Sequence, residues 1–97
     1  MPTVPPSILD RILEDIVRRS GRDRSECRVI LARPVTWRDG SLGCPEGGRG
    51  YTMALVRGYW VVLEAGNTRF DYRVDHLGHF RLCTHPGRTD PLPDDTI

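Results

Sequence analysis

The chain has 97 residues, 38% of them hydrophobic, with fourteen arginines, no lysine, thirteen acids and a net charge of +1. That length suits one domain with a modest core, and no apolar run approaches the roughly 18 residues of a membrane span. Both charge signs are spread along the chain, so the one-sided basic patch of a nucleic-acid or anionic-membrane binder is not expected.

The opening MPTVPP lacks the charged-then-apolar layout of a secretory signal, which makes a cytoplasmic location the default. Residues 1–6 are read as a disordered start. Ile8, Leu9, Ile12, Leu13, Ile16 and Val17 then recur at helical spacing and predict an amphipathic helix over about Ser7–Ser20. Ser7 is its expected N-cap, with Asp10 completing a variant capping box, and Gly21 its expected left-handed end. The pairs Arg11–Asp15, Glu14–Arg18 and Asp15–Arg19 are placed on a solvated outer face.

After a linker over 22–26, Cys27–Trp37 reads as a strand bent at Pro34, with Cys27, Val29 and Leu31 on one face. Five glycines and a proline in residues 38–50 predict a long Gly-rich loop without regular structure. Tyr51–Val56 and Tyr59–Glu64 read as one strand interrupted at Gly58, or as two. After a turn at 65–67, Phe70, Tyr72 and Val74 alternate with Arg69, Asp71, Arg73 and Asp75, which predicts a strand with a core face and a wet face. The turn HLGH leads to a last strand at Phe80–Cys83. The residues from His85 on, rich in proline and aperiodic, are read as a loose tail. The expected organisation is therefore one α+β domain over 7–84, an N-terminal helix on a three- or four-stranded antiparallel sheet, followed by a tail over 85–97.

Three cysteines carry the sharpest chemistry. A bond between Cys44, in the loop, and Cys83, at the end of the last strand, would tether the loop and favour an exported form of the protein. Cys27 would then be a core thiol. The competing reading is a zinc site built from His76, His79, Cys83 and His85, ligand types that zinc prefers, though not in a finger spacing. A third is that all three thiols are free. No nucleophile has a base near it in sequence, and Ser41 beside Asp39 does not make a triad, so no enzyme is expected. The glycines at 40, 43, 47, 48 and 50 fit neither phosphate-binding fingerprint, and no cofactor is expected.

The block VTWRDGSLGCPEGG, with Tyr51, Gly58, Tyr72 and Cys83, resembles a family of small bacterial proteins with the pattern V-T-W-x-D-G-S-L-G-C-P-x-P-G and a terminal F-x-L-C. The similarity covers roughly residues 8 to 83. It implies helix then sheet, and a disulfide between a loop cysteine and one ending the last strand, positions that Cys44 and Cys83 match. It implies no activity. Gly47–Gly48 departs from the proline-glycine of the pattern.

Two functional expectations follow. The first is a non-catalytic binding module for an unidentified protein partner, presenting the loop 38–50 as protease inhibitors present theirs. Its contact residues are Trp37, Arg38, Asp39, Ser41, Leu42, Cys44 and Pro45, with Leu42 as anchor. If the loop instead packs on its own sheet, Trp37 and Leu42 become core. The second is the zinc-binding protein. The ladder Arg69, Asp71, Arg73 and Arg81 is expected to be a solvated face open to an acidic partner.

Overall fold

The computed structural model describes residues 4–46, 50–84 and 88–93. Helix α1 spans Pro6–Ser20. Pro5 is its N-cap and Pro6 its first residue, a place where proline's fixed φ and missing N–H cost nothing. The Pro5 carbonyl accepts from the N–H groups of Ile8 (3.0 Å) and Leu9 (3.1 Å). Ser7 therefore lies inside the first turn and makes no cap, which corrects the capping box expected with Asp10. At the other end Gly21 takes φ 74°, and its N–H closes on Val17 O at 2.9 Å. Val4 is buried against the same core, so the order extends into the expected disordered start.

Four antiparallel strands follow, β1 Cys27–Trp37, β2 Val56–Ala65, β3 Thr68–Val74 and β4 Phe80–Leu82, in the spatial order β1-β2-β3-β4. The sheet is a meander of neighbours in sequence, with the helix on one face. Ile8, Ile12 and Ile16 of the helix meet Val61, Leu63, Ala65, Tyr72 and Val74 of the sheet. Leu9 and Leu13 flank that core and are partly buried.

Two local features redirect the strands. Between Val29 and Leu31 the register of β1 slips past Ile30, so that Val29 faces Leu63 but Leu31 faces Val62. A bulge of this kind turns the following side chains to the other face. Leu31, Arg33, Val35 and Trp37 consequently share the face away from the helix, and Leu31 does not continue the row of Cys27 and Val29. The second feature is Gly58, which does not interrupt β2. A Cβ there would fall on the carbonyl of Val74, so glycine is what lets the two strands approach. The Trp37 indole N–H donates to that same carbonyl at 3.1 Å.

Pro34 also stays within its strand, opposite Tyr59. The carbonyl of Thr36 accepts from Leu92 N–H at 2.9 Å and so points away from β2. By the two-residue alternation of a strand, the nitrogen of Pro34 points the same way, to the sheet edge where no ladder partner is needed.

Candidate functional site

The face away from the helix carries a second core, Val35, Trp37 and Leu42, with Val56 and Trp60 packed against it. It exists because the segment after β1 folds back. Asp39 accepts from Ser41 N–H (2.9 Å) and from its hydroxyl (2.5 Å), a turn that side-chain capping stabilises. Leu42 at φ 57° and Gly43 at φ 71° then reverse the chain. A non-glycine residue at φ 57° costs conformational energy, and the burial of the Leu42 side chain, 3% exposed, offsets it.

Two linkages hold the reversed chain. One is the disulfide Cys44–Cys83, with Cα atoms 5.8 Å apart, both residues buried. The other is Arg73 on β3, whose guanidinium is fully buried. Its Nη1 donates to Leu42 O (3.0 Å) and to Thr89 O (2.5 Å). Nε and Nη2 donate to the two carboxylate oxygens of Asp71 at 3.2 and 3.0 Å. Asp71 also accepts from the Trp60 indole at 2.8 Å, and Arg88 lies 3.5 Å from it. The Arg73 guanidinium carbon sits 5.0 Å from the Trp37 ring centre and 5.5 Å from that of Trp60, close enough for cation–π attraction to both. A buried charge is tolerable only when its partners satisfy it in this way.

The ladder expected to be solvated is thus corrected: Arg69 is exposed, but Arg73 is interior, Asp71 is largely covered, and Arg81 lies half-buried over the Tyr51 ring. The tail is corrected over residues 88–93. Thr89 N–H donates to Gly43 O at 2.8 Å, Pro91 is buried, and Leu92 binds Thr36 as described. Gly43 has no room for a side chain, since a Cβ would fall on Thr89 O and on Arg73 Nη1.

Of the loop residues expected to make contacts, Trp37, Ser41, Leu42 and Cys44 point inward. Arg38 and Pro45 are exposed and Asp39 is half-covered. Leu42 is therefore not available as an anchor. The exposed apolar residues of this connection lie further on, at Met53 (87% exposed) and Leu55 (63%). They belong to a segment that is not a strand, since β2 starts only at Val56. Thr52 O accepts from Gly40 N–H at 2.8 Å and Tyr51 hydroxyl from Glu46 N–H at 2.9 Å, which ties the segment to the rest of the loop.

The zinc site does not form as expected. Cys83 is committed to Cys44, His85 lies outside the described residues, and no group of three metal-binding side chains gathers among the described residues. His76 and His79 sit exposed in the turn before β4, where Asp75 Oδ1 accepts from the N–H groups of Leu77 (2.9 Å) and His79 (3.0 Å).

On the helix side one polar cluster is buried. Asp15 is not on the outer face: its Oδ2 accepts from the Tyr72 hydroxyl at 2.7 Å and from Arg19 Nε at 2.6 Å, and Oδ1 accepts from Arg18 at 3.2 Å. Burial alone would raise the Asp15 pKa, but these three donors outweigh it and hold the carboxyl below its ordinary value. Burial, together with the bond to Asp15, pushes the Tyr72 hydroxyl well up. Of the expected pairs Asp15–Arg19 forms, whereas Arg18 turns to Asp15 rather than to Glu14 and Arg11 donates to Gly78 O.

Among the described residues no helix is long and apolar enough to cross a membrane. Comparisons with curated proteins and with solved structures give no match. A family model does match, over residues 9–83, and the chain belongs to that family, described as a domain of unknown function (DUF8738).

Proposed function

We propose that the domain is a non-catalytic binding module that presents residues 50–55 to a protein partner. The observation that carries the reading is the exposure of Met53 and Leu55 on a segment anchored at Thr52, Tyr51 and Val56. The loop to which that segment bonds, through Gly40 and Glu46, is itself held by the disulfide and the Arg73 hub, which lowers the conformational entropy to be lost on binding. A braced arm that exposes apolar side chains is one form in which protease inhibitors offer themselves to an active site, and we extend the proposal to that mode. Ser41 fits a structural role, since its hydroxyl is spent on Asp39. The buried disulfide suits an oxidising compartment, so the partner is sought there.

The test has two arms. Wild-type protein and the Met53→Asp, Leu55→Asp double variant are used as bait in extracts of the source cells. Loss of a wild-type partner from the variant supports the arm as contact surface, and equal capture refutes it. In the second arm, serine endopeptidases with apolar primary specificity are incubated with the wild type. Stoichiometric inhibition supports the inhibitor mode, whereas rapid cleavage within 50–55 without inhibition removes it.

A further inference from the structure

The helix does not cover the whole of its face of the sheet. Beyond it, the register that sets Pro34 opposite Tyr59 and Thr36 opposite Arg57 carries those four residues onto the same face. There they floor an open groove of about 430 Å³, which His76 borders from the turn before β4 and Leu92 and Pro93 border from the far side of β1. That volume falls in the range that holds small organic ligands.

The charge of the groove is one-sided. Pro34, Leu92, Pro93 and the Tyr59 ring give it apolar walls, no carboxylate lines it among the described residues, and its polar side chains include the Arg57 guanidinium and the His76 imidazole. Arg19 pairs with Asp15, Arg24 with Asp10, Arg28 with Glu64 and Arg73 with Asp71. Arg57 makes no ion pair among the described residues and stands exposed at the groove. An unpaired guanidinium beside an aromatic and proline-lined wall is complementary to an anion with an apolar body.

We propose that this groove binds a small organic monocarboxylic acid. The carboxylate takes the planar fork of Arg57, to which its geometry is matched, with the His76 imidazole as a second polar neighbour. The aliphatic or aromatic body lies along Tyr59 and the prolines. A phosphate dianion fits less well, because it carries a second charge for which the groove has no second guanidinium, and because it brings nothing to the apolar wall.

The test is an amide NMR titration of the full chain with phenylbutyrate, phenylbutanol, inorganic phosphate and a short peptide ending in a free carboxylate on phenylalanine. Phenylbutyrate is expected to give saturable shifts at Thr36, Gly58, Tyr59 and His76, with at least about tenfold weaker binding of the alcohol and of phosphate. Arg57→Gln should cost the same factor of about ten, while Arg69→Gln, on the other face, should leave the affinity unchanged. Absence of saturable shifts, equal binding of the alcohol, or insensitivity to Arg57→Gln overturns the proposal. Tenfold tighter binding of the peptide overturns it in favour of a peptide terminus as occupant. The contact arm at 50–55 is not needed for any of these outcomes.

Discussion

The Nη1 of Arg73 donates to the carbonyl of Leu42 at 3.0 Å across 31 residues of sequence, and that contact joins the sheet to the loop that covers it. The same nitrogen reaches Thr89, so one guanidinium fixes three separate stretches of chain. Carbonyls in a reversed loop have no ladder to satisfy them, and a buried fork with several donors meets that need where an ammonium would not. The Leu42 side chain can then fill the space between Val35 and Trp37.

Arg73→Met should be among the most destabilising single changes in the domain. It strips Asp71 of its buried partner and leaves Leu42 O and Thr89 O unpaired, a combination worth about 3–5 kcal/mol. Arg73→Lys keeps the charge but cannot serve all three acceptors, so it should recover only part of the loss. Urea denaturation midpoints measure both. A Met variant within about 0.5 kcal/mol of wild type would mean that the hub is not structural.

The disulfide closes a separation of 39 residues, for which the chain-entropy model gives about 3–4 kcal/mol. The unreduced protein should weigh two hydrogens less than the reduced form, with Cys27 alone alkylated after unfolding. Replacing both Cys44 and Cys83 by alanine should lower stability by that amount. Hydrogen-exchange protection should fall first in residues 40–46 and last in the helix. Uniform loss of protection would show that the loop and the helix side open as one unit.

Much of this arrangement was legible in the residues. The isoleucine stripe, the stop at Gly21 and the alternation of Phe70, Tyr72 and Val74 each report a local period, and the helix and sheet follow from them. The Cys44–Cys83 pairing is one of three readings that the places of the cysteines allow, and the one that the family resemblance also implies. Other features escape because their cause is not local. Period two cannot register an extra residue at Ile30, so it puts Leu31 on the wrong face. Arg73 alternates with core residues and so reads as wet, but the loop roofs its face; Val35, Trp37 and Trp60 on that same face are the available hint. Asp15 is charged and so reads as solvated, although it lies three residues from Ile12 on the buried stripe. Gly58 looked like a strand break because only the neighbouring strand reveals how close the backbones run.

Residues 88–93 should contribute measurably to stability, against the sequence expectation of a dispensable tail. Truncation after Arg88 removes the bonds of Thr89 to Gly43 and to Arg73, and that of Leu92 to Thr36. At about 1 kcal/mol for each neutral bond and more for the charge-assisted one, a loss of roughly 2–4 kcal/mol is expected. A melting temperature equal to that of the full chain would mean that these contacts are too transient to count.

The last prediction concerns pH and rests on Asp15 and Tyr72, the bonded pair between helix and sheet. The Asp15 carboxyl is held below its ordinary pKa of about 3.9 in the folded state. Its contribution is therefore complete above about pH 4, and it disappears as pH falls through the lowered folded-state value. Tyr72 acts at the other end. Its hydroxyl holds its proton in the folded state beyond the ordinary pKa of about 10, while the unfolded chain releases it there. Its contribution is complete below about pH 10 and is lost as pH rises further. Tyr72→Phe removes the bond and should cost about 1–3 kcal/mol near neutrality, because the carboxylate loses a donor inside the core. Acids and tyrosines elsewhere are common to both proteins, so the stability difference between wild type and variant isolates the pair. Measured by denaturation at a series of pH values, that difference should be flat from about pH 5 to 9 and should shrink on both sides. A constant difference across the whole range would show that Tyr72 contributes through packing alone.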